Sequence, residues 1–396
     1  MGELAINGGK PVRKTMLSYG RQWIGPDDIE AVAEVLRSDY ITQGPLIDLF
    51  EERIAEYVGA KYAVAFCNGT MALHAACAAA GIGPGDEAVT SPITFLASAN
   101  CVLYQQGRPV FADIRGDTYN LDPACAEKAI TPRTKALIPV DFTGQPADLD
   151  AFVRLAKERG LVLIEDGAHA LGAEYRGRKV GSQADMTMFS FHPVKIITTG
   201  EGGIITTNNE EYARRLRRFR NHGMTRDPKE LQRDEGGWYY EMQSLGHNGR
   251  MTDLQAALGL SQLKKLPEFL QRRREIAAKY NDAFGGMEGL VIPHQAPDVQ
   301  SSWHLYVLRW RRDRFRGNRR MWFDALRAEN IGVHVHYIPV YRQPYYRAIG
   351  YEGVRCTEAE ALYEEMMTLP IFPAMTGEDV EHVIEAVRKV YKHFRK

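Results

Sequence analysis

Two amphipathic helices are indicated near the start of the chain. Apolar residues recur at helical spacing over residues 26–36, directly after a proline that suits a first helical position, and again over residues 46–54. Residues 39–45 between them are mostly polar and contain Gly44 and Pro45, which are typical of a break. The pattern therefore predicts a helix, a connecting segment and a second helix.

From residue 62 the pattern changes to short apolar runs that alternate with helical segments. The predicted strands are Tyr62–Phe66, Ala88–Ser91, Val110–Ala112, Leu137–Val140, Leu161–Glu165, Met186–Phe191 and Ile204–Thr207. Strands that alternate with helices in this way favour a mostly parallel sheet with both faces covered. The sequence therefore predicts an α/β fold.

The chain after Thr207 has a different organisation. The predicted helices are Glu210–Arg220, Thr252–Leu266, Glu268–Phe284, Arg319–Glu329, Thr357–Met367 and Asp379–Phe394, the predicted strands are Trp303–Trp310 and Gly332–His336, and Asp227–Tyr240 is predicted to be a loop. Short strands among helices indicate an α+β arrangement. We expect a large domain over residues 1–260 and a smaller α+β domain over residues 261–396.

Composition narrows the class of protein. Lys and Arg together number 50, as do Asp and Glu, so the formal net charge is +0, which argues against a nucleic-acid-binding surface as the main function. The 5 cysteines form no C-x-x-C pair, and no apolar run reaches the roughly 18 residues of a membrane span. We expect a soluble, cytoplasmic protein that contacts neither nucleic acid nor membrane.

Polar residues follow three of the predicted strands. Asn68-Gly69-Thr70 comes after the first strand, Asp166 after the fifth and Ser190 at the end of the sixth. Ligands of parallel sheets bind at the carboxyl ends of the strands, so these residues should converge. Asn68-Gly69-Thr70 would open a helix and suits a phosphate, although such turns are also ordinary helix caps. Asp166 could pair with a bound cation or cap a helix.

One lysine lies directly beyond the sixth strand. Met186–Phe191 is followed by Pro193 and Lys195, and the glycine-rich stretch 199–203 comes next. A lysine fixed at a strand end, beside a serine that can bind phosphate, suits pyridoxal 5′-phosphate, whose aldehyde forms a Schiff base with the amine. Asp166 would then pair with the pyridine nitrogen, and Phe95 could stack on the ring.

Two histidines alternate near the predicted strand Gly332–His336. His334 and His336 would point to the same side of a strand. No third ligand is spaced near them, so we expect no metal site. Substrate contact or ordinary packing is the expected role.

These features resemble the pyridoxal-phosphate-dependent sugar aminotransferases of the DegT/DnrJ/EryC1/StrS family over nearly the whole chain. The motifs that carry the resemblance are Thr42-Gln43-Gly44-Pro45, Glu165-Asp166-Gly167-Ala168-His169, Phe189 to Lys195 with Gly200-Glu201-Gly202-Gly203, and Gly246-His247-Asn248-Gly249-Arg250-Met251. The resemblance implies fold type I, the aspartate-aminotransferase scaffold, with a homodimer that shares its active sites.

The resemblance also implies roles for individual residues. Lys195 would be the Schiff-base lysine and general acid/base. The implied cofactor-binding residues are Gly69, Thr70, Phe95, Asp166, His169, Ser190 and, from the partner subunit, Asn248. The implied substrate-binding residues are Tyr19, Asp39, Tyr40, Ile41, Thr42, Arg250, His334, Val335, His336 and Tyr337.

Within the family, the stretches His169–Tyr175, Gln255–Leu266 and Val335–Tyr341 resemble the transaminase of pseudaminic acid biosynthesis. This implies transfer of the amino group of L-glutamate to the C4 ketone of a UDP-linked 4-keto-6-deoxy-N-acetylhexosamine. Three alternatives stay open: a GDP- or dTDP-linked keto sugar, a sugar dehydratase of the same fold, and a non-catalytic regulator of the same fold. Lys195 argues against the dehydratase, which usually has histidine in its place.

Overall fold

A computed structural model describes residues 3–396. Its α-helices are α1 (Pro26–Arg37), α2 (Pro45–Val58), α3 (Gly69–Ala79), α4 (Ala97–Tyr104), α5 (Pro123–Ala129), α6 (Leu149–Arg159), α7 (Glu210–Phe219), α8 (Asp253–Phe284), α9 (Arg319–Ala328), α10 (Pro344–Tyr346), α11 (Thr357–Glu365) and α12 (Gly377–Phe394). Short 3-10 helices cover Ala5–Asn7, Phe142–Gly144, Arg312–Arg314 and Val340–Arg342, and a π-helical turn covers Arg347–Tyr351.

Within residues 3–396, the strands form one large sheet and three small ones. They are β1 (Tyr62–Phe66), β2 (Glu87–Thr90), β3 (Arg108–Phe111), β4 (Thr134–Ile138), β5 (Val162–Asp166), β6 (Glu174–Tyr175), β7 (Arg178–Lys179), β8 (Met186–Ser190), β9 (Gly203–Thr207), β10 (Met224–Thr225), β11 (Glu241–Met242), β12 (Leu290–Val291), β13 (Val299–Gln300), β14 (Tyr306–Trp310) and β15 (Met366–Leu369).

The large sheet has seven strands in the order β1-β9-β8-β5-β4-β2-β3. Pairing is parallel from β8 through β3, whereas β9 is antiparallel to both β1 and β8. Six strands therefore run in one direction and β9 runs against them. The predicted α/β fold with a mostly parallel sheet is confirmed.

Helices cover both faces of this sheet because alternate strand residues point to opposite sides. Phe66, Ile164 and Met188 pack against α3, α4 and α7 on one face. Phe189 and Ile204 pack against α2 and α8 on the other. Because most residues of the strands are buried, groups at the ends of the central strands are the ones placed to meet a ligand.

A smaller α+β unit follows the large sheet. Strands β12, β14 and β15 form a three-stranded sheet. It packs with α9, α12 and the second half of α8 in a core that includes Tyr280, Trp310 and Trp322. The predicted division at residue 260 falls inside α8, so the division into domains stays a prediction.

In three regions the type or number of elements differs from the prediction. The two helices predicted over 252–284 form one helix, because Leu266, Phe269 and Leu270 bury the turns on either side of Pro267 and offset the hydrogen bond lost at proline. The predicted helix Thr357–Met367 ends at Glu365, and Met366 begins β15, which pairs with β14. Residues 332–336 form no strand; they contribute one isolated bridge between His334 and Thr368.

Candidate active site

The carboxyl ends of β1, β5 and β8 meet at one edge of the large sheet, because these strands run in the same direction. Asp166 is the last residue of β5, and Ser190 is the last residue of β8. Gly69 begins α3 shortly after β1, and a Cβ atom on Gly69 would lie 3.2 Å from Ser190 Cβ. The structure therefore brings together the three positions that the sequence predicted to converge.

The N-terminus of α3 has the features of an anion-binding site. Asn68 caps the helix by accepting a hydrogen bond from the Met71 N–H at 2.8 Å. The N–H groups of Gly69 and Thr70 precede the first N–H that bonds within the helix, so they point out of its N-terminus. Together with the neighbouring Ser190 hydroxyl, these groups suit a phosphate.

Asp166 is a buried carboxylate whose hydrogen-bond donors among residues 3–396 are uncharged. Ser98 Oγ donates to Oδ2 at 2.5 Å, and the Ala168 N–H donates to Oδ1 at 3.1 Å. Burial raises the pKa of Asp166, while these two donors and the charge of Lys195 lower it. Residues 167–173 form turns rather than a helix, so the alternative that Asp166 is a helix cap was wrong.

The serine that holds Asp166 was missed from the sequence. Ser98 lies in the first turn of α4, and its hydroxyl is also 2.6 Å from Thr94 Oγ1. Ser98 and Asp166 are 68 residues apart, on a helix and a strand that no local pattern connects. Only the packing of α4 over the end of β5 reveals the contact.

Lys195 lies in a tight turn closed by a hydrogen bond from its N–H to the His192 carbonyl at 2.9 Å, and its charge interacts with that of Asp166. We call the region around Asp166, Lys195 and the start of α3 the active-site pocket. Burial lowers the pKa of the Lys195 amine to about 8, and the negative charge of Asp166 opposes part of that shift. An ordinary lysine has a pKa of about 10.4, so at neutral pH the nucleophilic, uncharged amine is roughly two orders of magnitude more abundant here.

These residues fit pyridoxal 5′-phosphate. Asp166 is buried, and in the part of the chain that the structure describes it has no cationic hydrogen-bond donor. This arrangement is costly, and a protonated pyridine nitrogen would relieve it. Gly69, Thr70 and Ser190 would hold the phosphate, and Lys195 would meet the aldehyde. Phe95 is 58% exposed and lies at the open side of the pocket, 6.2 Å from the Tyr337 ring, where a bound ring could cover it.

His169 belongs to a cluster of buried neutral rings. Its Nε2 atom lies 3.4 Å from the Tyr337 hydroxyl, and its ring centroid is 4.3 Å from that of His304, a residue that the sequence did not single out. Burial, more than any neighbouring charge, lowers the pKa of both imidazoles. Within residues 3–396, the Nδ1 atoms of both rings are buried without a hydrogen-bond partner.

A second group of aromatic residues lines the pocket beside His169. The His334 and His336 rings stack with centroids 4.5 Å apart, so they face the same side as predicted even though no strand forms. The Tyr19 ring lies 5.3 and 5.1 Å from them. His336 Nδ1 is 2.9 Å from Thr368 Oγ1, and burial lowers the pKa of His336 to about 3. Val335 is half-buried and packs against the same apolar cluster as Tyr19 and Tyr337.

The remaining predicted residues lie on an exposed surface. Asp39, Tyr40, Ile41 and Thr42 are exposed, and Thr42 forms an isolated bridge with Thr252 at the start of α8. Asn248 is also exposed, and the neighbouring Gly249 carbonyl accepts a hydrogen bond from the Cys67 N–H at the end of β1.

Arg250 follows on the same segment but is half-buried, and its guanidinium donates to Asn221 Oδ1 at 2.6 Å. The group therefore lies beside the predicted phosphate site but faces outward. Among residues 3–396, no cluster of three or more histidine, cysteine or acidic side chains is arranged to hold a metal ion. None of the helices in the same range is both long and apolar enough to cross a membrane.

Comparison with known proteins agrees with this geometry. The model of the DegT/DnrJ/EryC1/StrS aminotransferase family matches residues 22–388. SpsC, a spore coat polysaccharide biosynthesis protein of Bacillus subtilis, is 44% identical over 382 residues, which are 96% of this chain and 98% of SpsC.

Solved structures with a similar fold support the same comparison. Helicobacter pylori PseC, an aminotransferase involved in the biosynthesis of pseudoaminic acid, superimposes with a TM-score of 0.89 at 34% identity, over 96% of this chain and 100% of PseC. DesI, solved in the presence of its TDP-sugar product, has a TM-score of 0.88 at 30% identity, over 97% of this chain and 95% of DesI.

Proposed function

The chain belongs to the DegT/DnrJ/EryC1/StrS aminotransferase family and is a pyridoxal-phosphate-dependent sugar aminotransferase, and on that basis we propose its reaction. It transfers the amino group of L-glutamate to the C4 ketone of a nucleotide-linked 4-keto-6-deoxy sugar. The proposed substrate is the UDP-linked 4-keto-6-deoxy-N-acetylhexosamine of pseudaminic acid biosynthesis, and the cytoplasm is the proposed location.

The observation that supports this reaction best is a lysine of lowered pKa in the same pocket as a buried carboxylate. When bound, pyridoxal phosphate carries the amino group between the two substrates and absorbs negative charge that develops during transfer. With a pKa of about 8, the Lys195 amine can both accept and return a proton near neutral pH. Asp166 would hold the proton on the pyridine nitrogen.

The sugar would bind against Tyr19, His334, His336 and Tyr337. His336 is neutral at physiological pH, so this part of the pocket offers hydrogen bonds rather than charge. Such groups suit sugar hydroxyls and an N-acetyl group. The similarity to PseC supports the UDP-linked N-acetylhexosamine, whereas the similarity to DesI, with its TDP-sugar product, supports the alternative nucleotide.

We further propose a homodimer in which each active site is shared. Asn248 would reach the phosphate site of the partner subunit, and Arg250 would lie near the substrate. The segment from β10 to Asn248 exposes an unusual number of large apolar side chains for a solvated loop: Trp238, Tyr240, Met242 and Leu245. Such a patch is typical of an interface between subunits.

An amination screen tests the proposed substrate. Purified enzyme, pyridoxal phosphate and glutamate would be incubated with UDP-, GDP- and dTDP-linked 4-keto-6-deoxy sugars, with and without the N-acetyl group, and the products followed by mass spectrometry. We expect the UDP-linked N-acetyl sugar to be aminated fastest. Equal rates with sugars that lack the N-acetyl group or carry another nucleotide would refute the pseudaminic assignment but not the sugar aminotransferase.

Two pocket variants locate the sugar. His336→Ala and Tyr337→Phe should raise KM for the nucleotide sugar far more than KM for glutamate, because a site built on hydrogen bonds discriminates strongly when one is lost. Equal increases in both KM values would show that these residues do not bind the sugar.

A further inference from the structure

Residues 3–20 form an extended segment, which we call the N-terminal strap. Its one helical element in the described range is the 3-10 turn Ala5–Asn7. Leu4 and Leu17 are buried in the core of the smaller α+β unit, beside Trp322 and Leu326 of α9. Because the strap has little regular structure of its own, its position depends on its contacts with that unit. They include two sets of hydrogen bonds near the end of α9 and a salt bridge between Arg13 and Asp379 of α12 at 2.6 Å.

The first of these contacts is the side chain of Glu329, which follows α9. Its carboxylate accepts hydrogen bonds from the Ala5 N–H at 2.9 Å and the Val12 N–H at 3.0 Å. Lys389 of α12 donates to the same carboxylate at 2.8 Å and to the Lys10 carbonyl at 2.9 Å. Glu329 is 0% and Lys389 8% exposed, so this is a buried ion pair that holds three separate points of the strap.

The second contact follows directly in sequence. Asn330 Nδ2 donates to the Arg13 carbonyl at 2.8 Å, and the Leu17 N–H donates to the Asn330 carbonyl at 3.0 Å. The Gly332 N–H donates to the Leu17 carbonyl at 2.7 Å. A Cβ atom on residue 332 would lie 2.4 Å from the Leu17 carbonyl oxygen, so glycine allows this close approach.

The strap leads from these contacts into the active-site pocket. Two residues after Leu17, the Tyr19 ring lies against the His334 and His336 rings, and the Tyr19 carbonyl accepts a hydrogen bond from the Ile371 N–H at 3.1 Å. The short stretch 329–336 thus fixes the strap at one end and contributes two pocket histidines at the other. Displacement of the strap would change the spacing between Tyr19 and these histidines.

We propose that Glu329 is a positioning residue for the nucleotide-sugar site, acting through Tyr19; this inference rests on the proposed function. The Glu329 carboxylate lies between the strap and Lys389 of α12. Glu329 is not one of the residues proposed to contact the substrate. A buried ion pair contributes little net stability compared with well-packed apolar groups, whereas its directional hydrogen bonds fix the position of the groups that it joins. Its role is to hold Tyr19 against His334 and His336 before the sugar binds.

The substitution Glu329→Gln tests this role. Glutamine has nearly the same shape, but its NH₂ group must face one of the three donors that the carboxylate accepts. We expect KM for the nucleotide sugar to rise about tenfold, equivalent to about 1.4 kcal/mol, with kcat and KM for glutamate changed less than about twofold. Calorimetry with the aminated sugar should show the same loss of affinity.

Glu87→Gln is the matched control. Glu87 is also a buried carboxylate, 3% exposed, and it is bonded to Thr131 and Arg133 at the amino end of β2, away from the active site. The substitution Glu87→Gln should lower the free energy of unfolding without changing KM for the nucleotide sugar. In a Tyr19→Ala background, Glu329→Gln should have no further effect on KM, because there is no ring left to position.

A double variant distinguishes the effect of Glu329 on stability from its effect on sugar binding. The double variant Glu329→Gln/Lys389→Met removes both charges, so its stability should exceed that of Glu329→Gln while KM for the sugar stays raised. An unchanged KM in folded Glu329→Gln, or the same increase in the Tyr19→Ala background, would overturn the inference. Failure of the proposed function is distinct: the unaltered enzyme would then aminate no nucleotide sugar at all.

Discussion

Replacement of Asp166 by asparagine tests the central electrostatic feature of the site. Asparagine fits the same space: its oxygen can accept the Ala168 N–H, and its NH₂ group can donate to Ser98 Oγ, whose proton can turn to Thr94 Oγ1. The fold should therefore survive. What is lost is the negative charge that would hold the proton on the cofactor's ring nitrogen.

The magnitude follows from the burial of this carboxylate. Asp166 is 4% exposed, and removing one partner of a buried ion pair costs about 3–5 kcal/mol. At about 1.4 kcal/mol per factor of ten, the full loss in the transition state would lower kcat by roughly 10²–10⁴. The assay is steady-state amination with saturating glutamate and sugar, with cofactor content measured from visible absorbance.

Ser98→Ala is the matched control for this substitution. It keeps the charge of Asp166 and removes one hydrogen bond, so we expect a loss of about tenfold. A rate for Asp166→Asn within tenfold of the parent enzyme, at full cofactor occupancy, would refute the assigned role. Equal losses in the two variants would mean that the hydrogen bond matters more than the charge.

Three further predictions concern the lysine, the subunits and the buried histidines. Lys195→Ala should fold and lose at least about 10³-fold in turnover, and substantial turnover would contradict the role of Lys195. In the parent apoprotein, the rate of pyridoxal phosphate capture should rise with pH up to about 8 and then level off, because only the uncharged amine reacts. A capture rate that does not depend on pH would contradict the lowered pKa. Mixing inactive Lys195→Ala and Asn248→Asp proteins should restore some activity through hybrid dimers, whereas an active monomer in light scattering would exclude a shared site. His336 has a pKa of about 3 in the folded protein and about 6.5 in the unfolded chain, so it stays neutral in the native state. Because His336 becomes protonated only in the unfolded chain, the free energy of unfolding should fall by about 1.6 kcal/mol between pH 6.5 and pH 5. The variant His336→Gln should lack that part of the acid sensitivity in urea unfolding of the apoprotein. An unchanged pH dependence would show that the pKa of His336 is the same in the folded and unfolded states, and would contradict the prediction.

The local sequence was sufficient for the elements of the large sheet and for the approximate place of its functional edge. Short apolar runs between helical segments specify buried parallel strands, and the ends of such strands converge by topology alone. Asp166, Ser190 and Gly69 could therefore be predicted to meet, and motif resemblance supplied the candidate roles. The antiparallel direction of β9 could not be predicted, because a buried strand has the same apolar pattern whether it runs parallel or antiparallel to its neighbours.

Features that depend on partners distant in sequence appeared only in the tertiary structure. Met366–Leu369 has a sequence compatible with the preceding helix, yet it pairs with β14, because packing against a neighbouring strand outweighs a weak local preference. Ser98, His304 and Glu329 carry no local signal, since their contacts with Asp166, His169 and Val12 exist only once separate elements have packed. The same holds for the pKa of Lys195: a lysine has an ordinary pKa in an unfolded chain, and burial beside the sheet edge lowers it to about 8.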